Sequence, residues 1–166
     1  MSNSDSIRNI IDKYFEQNNV LTNHQIESYD DFIDNILPTI ISQYFPLDLS
    51  FNDTSKIKNI KINVINVSIE TPQYTENNGC SKVMTPSIAR LRNFTYSLTV
   101  LIDLIVEITI RDDNIEVNLP VKEINNVILT KVPVIVKSRY CNYRKDINSE
   151  CKFDTGGYSI INGNEK

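Results

Sequence analysis

Thr95-Tyr-Ser-Leu-Thr-Val-Leu-Ile-Asp-Leu-Ile-Val-Glu-Ile-Thr-Ile110 is the stretch that decides the fold class. Tyr96, Leu98, Val100, Ile102, Leu104, Val106, Ile108 and Ile110 share one parity, while Thr95, Ser97, Thr99, Asp103, Glu107 and Thr109 hold the other. Successive strand side chains point to opposite faces, so this period of two predicts a long β-strand. Arg111-Asp-Asp-Asn114 reads as the turn after it. Residues 115–119 then return as a strand, and residues 127–136, around Pro133, supply another. Upstream, Ile60, Ile62 and Val64 share a face, but Val67 and Ile69 take the opposite parity. A β-bulge near Ile65-Asn66 reconciles the two.

The first third of the chain has a helical period instead. Ile7, Ile10, Ile11, Tyr14 and Phe15 fall on one helix face after Ser4-Asp5-Ser6 as caps, and Asn18-Asn19 ends that helix. Thr22-Asn-His-Gln25 has the form of a capping box and starts a second helix. Its apolar face is Ile26, Tyr29, Phe32, Ile33, Ile36, Leu37, Ile40, Ile41 and Tyr44. Pro38 lies inside that pattern and should kink or split it near Leu37, and Pro46 ends it. Residues 71–84 read as a loop, after which Thr85-Pro86 reads as N-cap and first residue of a short helix reaching about Asn93. Helices first, then a mainly antiparallel sheet with a short helix, make an α+β fold. The 166 residues suit one domain, or one domain with a helical appendage, residues 1–19 being the N-terminal helical segment.

Hydrophobic content of 40% and charge of 23% place the chain among ordinary globular domains. No apolar run approaches the roughly 18 residues that span a bilayer, so no membrane is expected as a partner. Cys80, Cys141 and Cys151 form no even set and no CxxC pair, which favours reduced thiols over a disulfide framework or a zinc site. The net charge of −4 is uneven: residues 81–145 carry 10 Lys and Arg against 6 Asp and Glu. A basic middle on an acidic chain permits local nucleic-acid contact and argues against strong non-specific binding.

Catalytic constellations are missing from the pattern. His24 is the single histidine and sits beside a capping box, so a cap-proximal role is the favoured reading and any Cys–His pair for nucleophilic chemistry would have to use it. Gly156-Gly157 is neither a dinucleotide fingerprint nor a P-loop, since no Gly-Lys-Ser/Thr follows. Asp30-Asp31 suits an early helix turn and Asp112-Asp113 a turn between strands. Arg90, Arg92, Lys137 and Arg139 are the candidate nucleic-acid contacts, because arginine can hold phosphates by bidentate, charge-assisted bonds. The alternative reading makes them a solvated face or ties to backbone carbonyls.

The last thirteen residues, from Asp154 to Lys166, carry a further signal. Residues 158–161 read as a short strand entering Asn162-Gly163, the strongest short-range hairpin signal, with only three residues after it. The expectation is a hairpin without its returning strand, cut inside a structural unit. Tyr158, Ile160, Ile161, Asn162 and Gly163 then form a candidate subunit-contact edge.

Four blocks together resemble a known family. Thr85-Pro-Ser-Ile-Ala-Arg-Leu-Arg-Asn-Phe-Thr-Tyr-Ser97 resembles the TP-x-x-ARLRNLTYS block of the second-largest subunit of multisubunit DNA-directed RNA polymerases. Val132-Pro-Val-Ile-Val-Lys-Ser-Arg-Tyr-Cys141 is similar to its P-I-M-L-R-S-x-x-C segment. Cys151-Lys-Phe-Asp-Thr-Gly-Gly-Tyr-Ser-Ile-Ile-Asn-Gly-Asn-Glu-Lys166 resembles its C-x-F-D-x-G-G-Y-F-I-I-N-G-S-E-K block. Leu21-Thr-Asn-His-Gln-Ile-Glu-Ser-Tyr-Asp-Asp-Phe32 is similar to its entry helix. Ser159 stands where an aromatic is usual, and Val136-Lys137 replaces Leu-Arg.

The resemblance implies a protrusion domain over residues 20–166, cut before the lobe domain that follows in the family. It implies a non-catalytic wall of the DNA cleft that takes part in subunit assembly in transcription. Partners would be the largest subunit, the remainder of the second subunit and, through the assembled enzyme, DNA. No cofactor is expected in this chain, since the active-site magnesium would be held by the largest subunit, so the chain is part of a nucleotidyltransferase without carrying its active site. The isoleucine- and asparagine-rich composition suggests an AT-rich genome, and with the resemblance a large DNA virus. Location would then be the host cytoplasm (a viral factory) or the virion, and otherwise the nucleus. The alternative is a truncated or vestigial interaction domain that does not join the polymerase.

Overall fold

A computed structural model of the chain describes residues 3–15, 20–51, 56–112, 115–145, 150–151 and 153–166. Packing divides it into two compact units, each discontinuous in sequence. Unit 1 comprises Met1–Asp30, Met84–Tyr96 and Pro133–Lys166, and unit 2 comprises Asp31–Val83 and Ser97–Val132. The fold is α+β, with helices and a mainly antiparallel sheet, as the periodicities predict.

Unit 2 is built on strand β5 (Ser97–Asp112), the stretch with the long alternation. The main sheet runs β1 (Leu47–Ser50), β2 (Ile57–Glu70), β5, β6 (Ile115–Asn118), and β7 (Lys122–Pro133) also pairs with β5. Leu98, Val100 and Ile102 of β5 are buried, and Leu101 on the other face is buried as well. Beyond Ile102 the strand is only half-buried, so the alternation persists in sequence after the core has ended. The β2–β5 register shifts between Val64 and Asn66, which is the predicted bulge, and Asn66 turns its amide toward Asp103 at 3.4 Å. The tip residues Asp113 and Asn114 lie outside the described residues, as do Asn18 and Asn19.

Three short strands lie outside the predicted pattern. β1 follows Pro46 and pairs with only four residues of β2, too short to display a period. Residues 71–84, read as a loop, hold the hairpin β3 (Gln73–Thr75) and β4 (Ser81–Val83). Three-residue strands rich in polar side chains carry no alternation, so hydrophobic pattern cannot reveal them. The Lys82–Glu76 ion pair at 3.0 Å spans its closed end.

The helical pattern between Thr22 and Tyr44 is split as Pro38 requires. Helix α2 (Asn23–Asp31) gives way to a π-helical turn, Phe32–Ile36, and then to α3 (Leu37–Tyr44) with Pro38 in its first turn. Proline lacks an N–H and its ring collides with the carbonyl four residues back. Just before the proline the winding widens, and the Leu37 N–H donates to Phe32 O, five residues back. Ile33, Leu37 and Ile41 are the buried stripe, whereas Ile36, Ile40 and Tyr44 of the predicted face are exposed. Helix α1 (Asn3–Phe15) begins before Ser4-Asp5-Ser6, the predicted caps, which lie inside it, and Ile7, Ile10, Ile11, Tyr14 and Phe15 are all about half exposed or more.

Unit 1 holds the C-terminal segment, and here an expectation is corrected. Strand β8 (Ile160–Ile161) does have its return, β9 (Asn164–Glu165), with Ile160 opposite Glu165 and Ile161 opposite Asn164. Asn162 at φ 50° and Gly163 at φ 77° place both turn residues in the left-handed region, the two-residue geometry that reverses a strand at once. Three residues therefore suffice, and Ser159 and Lys166 exchange both backbone hydrogen bonds at 3.0 and 2.8 Å. The other side of the strand is also paired. Val136 N–H donates to Tyr158 O at 2.8 Å, and Tyr96 N–H donates to Ile160 O at 2.9 Å.

Candidate functional site

Helix α4 (Pro86–Leu91) places Arg90 in its last turn, and Thr85 caps it by accepting from Ile88 N–H at 3.4 Å. The Arg90 guanidinium is a hub. Its Nη1 donates to Glu150 Oε2 at 3.0 Å, its Nε to Glu165 Oε1 at 2.8 Å, and its Nη2 to Tyr158 Oη at 2.6 Å. Asp154 Oδ2 stands 3.8 Å from Nη2 and accepts the Tyr158 hydroxyl proton at 2.5 Å. Glu150 is a buried carboxylate, yet it is well satisfied, since its Oε1 takes hydrogen bonds from Ser87 N–H at 2.7 Å and Ser87 Oγ at 2.6 Å. These groups, with Cys151, line a cavity of about 390 Å³.

The electrostatics follow from that geometry. Partial burial opposes the Arg90 charge, but the bonds to Glu150 and Glu165 and the nearby Tyr158 and Glu150 outweigh it and raise its pKa. Burial pushes the Tyr158 phenol up, and its bond to the Asp154 carboxylate adds to that. Three carboxylates face one guanidinium, so the cluster has no surplus positive charge to offer a phosphate. Arg90, read from sequence as a nucleic-acid contact, serves here as a clasp between α4 and the C-terminal segment. A phosphate would first have to displace a carboxylate from it.

The same segment is locked by close backbone approach. A Cβ on Gly157 (φ 84°) would stand 2.6 Å from Thr22 Cβ, and Thr22 Oγ1 donates to Thr155 O at 2.8 Å. A Cβ on Gly163 would stand 2.5 Å from Asn93 Oδ1, and Gly163 N–H donates to Phe94 O at 3.0 Å. The glycines thus serve backbone geometry, as the absence of a P-loop pattern implied.

The other predicted basic residues fall in different settings. Arg92 is exposed at the C-cap of α4. Lys137 is half-buried at φ 71°, with its ammonium donating to Asp154 O and lying 5.4 Å from the Tyr143 ring centroid. Arg139 is exposed, and its backbone N–H donates to Asp30 Oδ1 at 3.1 Å. Arg90 and Lys137 thus meet at Asp154, whereas Arg139 is tied to α2. Glu150, Asp154 and Glu165 carry no local signal in the sequence, because their common partner Arg90 lies 60 to 75 residues away. Among the described residues, no three His, Cys, Asp or Glu side chains are grouped to hold a metal ion, and no helix is long and apolar enough to cross a membrane.

Residues 20–166 match the family described as RNA polymerase beta subunit. The chain is 30% identical over 175 residues to DNA-directed RNA polymerase II subunit 2 of Arabidopsis thaliana, covering 95% of this chain and 14% of that protein. It is 30% identical over 163 residues to DNA-directed RNA polymerase subunit Rpo2N of Methanothermobacter thermautotrophicus, covering 95% of this chain and 28% of that protein. DNA-directed RNA polymerase subunit 2 of Acanthamoeba polyphaga mimivirus is 28% identical over 164 residues, with 95% of this chain and 14% of that protein covered. The chain therefore spans a small N-terminal share of its relatives.

Proposed function

The chain belongs to the RNA polymerase beta subunit family, and on that premise we propose that it is the non-catalytic protrusion portion of a DNA-directed RNA polymerase second subunit. In that role it forms part of the wall of the DNA cleft and assembles with the largest subunit and the remainder of the second subunit. The observation that carries the reading is the continuous match over residues 20–166, which includes all four sequence blocks. Two of those blocks meet in the Arg90 clasp: Arg90 comes from the first, and Asp154, Tyr158 and Glu165 from the last. The clasp fixes the fold and leaves DNA contact to Arg92 and Arg139, which are exposed, whereas the Lys137 ammonium is tied to Asp154 O. Magnesium-dependent nucleotidyl transfer would be supplied by the largest subunit, so this chain's contribution is to position and hold. Its location follows the assembled enzyme, in a viral factory or virion for a viral polymerase and in the nucleus for a cellular one.

Co-expression of the tagged chain with the largest subunit and the remaining second-subunit sequence tests the assignment. Recovery of one stoichiometric complex is expected, and recovery of the chain alone would overturn it. Within that complex, Arg92→Glu with Arg139→Glu should lower DNA affinity and flatten its salt dependence, by about one unit of slope for each phosphate no longer neutralised. An unchanged slope would remove these two residues from the DNA interface.

A further inference from the structure

The chain contains two Asn-Gly pairs in tight turns, Asn78-Gly79 and Asn162-Gly163, and the structure treats them differently. Asparagine followed by glycine is the dipeptide most open to attack by the next backbone nitrogen on the side-chain amide, because glycine has no Cβ to shield that nitrogen. We propose that Asn78 is a site of spontaneous, water-dependent deamidation, while Asn162 is protected by its surroundings.

Asn78 lies in the turn closing the β3–β4 hairpin, and residues 77–80 are all exposed. A Cβ built on Gly79 would meet nothing within 4 Å, so the backbone there stands in open space. What holds the turn is local: Gly79 N–H donates to Glu76 O at 2.8 Å, and Asn78 Oδ1 accepts from Cys80 N–H at 2.9 Å. The hairpin is a two-stranded sheet with three paired positions. Ribbons of that size are marginal by themselves, so the turn opens at small cost.

Asn162 is held from several sides. Its Oδ1 accepts from Thr95 Oγ1 at 3.1 Å, and its N–H donates to Thr95 Oγ1 at 3.2 Å. Gly163 N–H is bonded to Phe94 O, and the space a Cβ would need is already filled by Asn93. A five-membered ring cannot form there without separating the β8–β9 turn from the end of α4.

At Asn78 the chemistry balances with water alone. The Gly79 nitrogen gives up its proton and bonds to the Asn78 side-chain carbonyl carbon, the C–N bond of the amide breaks, and ammonia leaves. Water then opens the cyclic imide at either carbonyl, leaving aspartate or isoaspartate at position 78. The isoaspartyl product carries an extra backbone atom and so breaks the Glu76–Gly79 turn, and either product adds a negative charge near Glu76.

The test is peptide mapping by mass spectrometry after incubation of the folded full chain at mildly alkaline pH, with a parallel sample in denaturant. In the folded chain, the peptide holding Asn78 should gain acid about tenfold or more faster than the one holding Asn162, since local opening multiplies into the rate. In denaturant the two rates should converge, and Asn78→Gln should abolish the first signal. Equal rates in the folded chain, or faster reaction at Asn162, would overturn the proposal.

Discussion

At the residue scale, Arg90 shows how much of a side chain's setting comes from residues distant in sequence. Its place in an Arg-Leu-Arg triplet suggests phosphate binding, and its exposure would have to be high for that. Instead its side chain is 27% exposed and meets Glu150, Asp154, Glu165 and Tyr158. Removing one partner of a buried pair leaves the other charge uncompensated, which costs about 3–5 kcal/mol when burial is complete. Arg90 retains some solvent, so Arg90→Ala should cost about 2–3 kcal/mol of unfolding free energy by denaturant titration. Arg90→Lys should recover little of that, because a point charge cannot address three directions as the planar fork does. Full recovery by lysine would show that charge alone holds the clasp. Gly157→Ala should destabilise by more than the ~1–2 kcal/mol of a left-handed alanine, since its Cβ also strikes Thr22. Of this site, the glycines and Thr85 were legible because turn and cap chemistry is local. The carboxylate partners were not, since nothing in sequence joins positions so far apart.

At the element scale, what was legible is what had a period long enough to count. β5 and the 22–44 helical pattern declared themselves, as did the bulge in β2, where the parity reverses. β1, β3 and β4 are four or three residues long and escaped. The C-terminal hairpin escaped for another reason, namely that a two-residue turn needs only two or three residues to complete its return. The π-turn before Pro38 was foreseen as a kink without its form. It makes an element-level prediction: Pro38→Ala restores the N–H and removes the ring, so residues 32–44 can run as an uninterrupted α-helix. Leu37 N–H should then shift its partner from Phe32 O to Ile33 O, visible in amide chemical shifts and hydrogen-exchange protection. Regular winding would also rotate Ile33 relative to Leu37 and Ile41, all three of which are buried. A gain in local helicity should therefore come without a gain in melting temperature. A wide turn that survives the substitution would place its cause in the packing of Ile33 and not in the proline.

At the scale of the whole molecule, buried and half-buried phenols set a limit on alkaline stability. Tyr29, Tyr96 and Tyr158 all have raised pKa values, in each case chiefly because burial opposes the phenolate. Tyr96 is fully buried, with Cys141 as a second influence, and its hydroxyl donates to Cys141 Sγ at 3.4 Å while accepting from Asn142 N–H at 2.7 Å. Below about pH 10, the ordinary phenol range, folded and unfolded chains are equally protonated at these positions and no slope arises. Above it the unfolded chain releases protons that the folded chain keeps, so stability falls as pH rises toward the higher folded values. Tyr96 alone can contribute up to about 1.4 kcal/mol per pH unit in that window. Tyr96→Phe leaves the Asn142 N–H without its acceptor and should cost about 1–3 kcal/mol at neutral pH. The same substitution removes one titrating phenol, so its stability curve should fall less steeply above about pH 10 and approach that of the unsubstituted chain. Denaturant titrations at a series of pH values decide this. Curves that stay parallel through the alkaline range would mean that Tyr96 ionises in the folded state as readily as in the unfolded one.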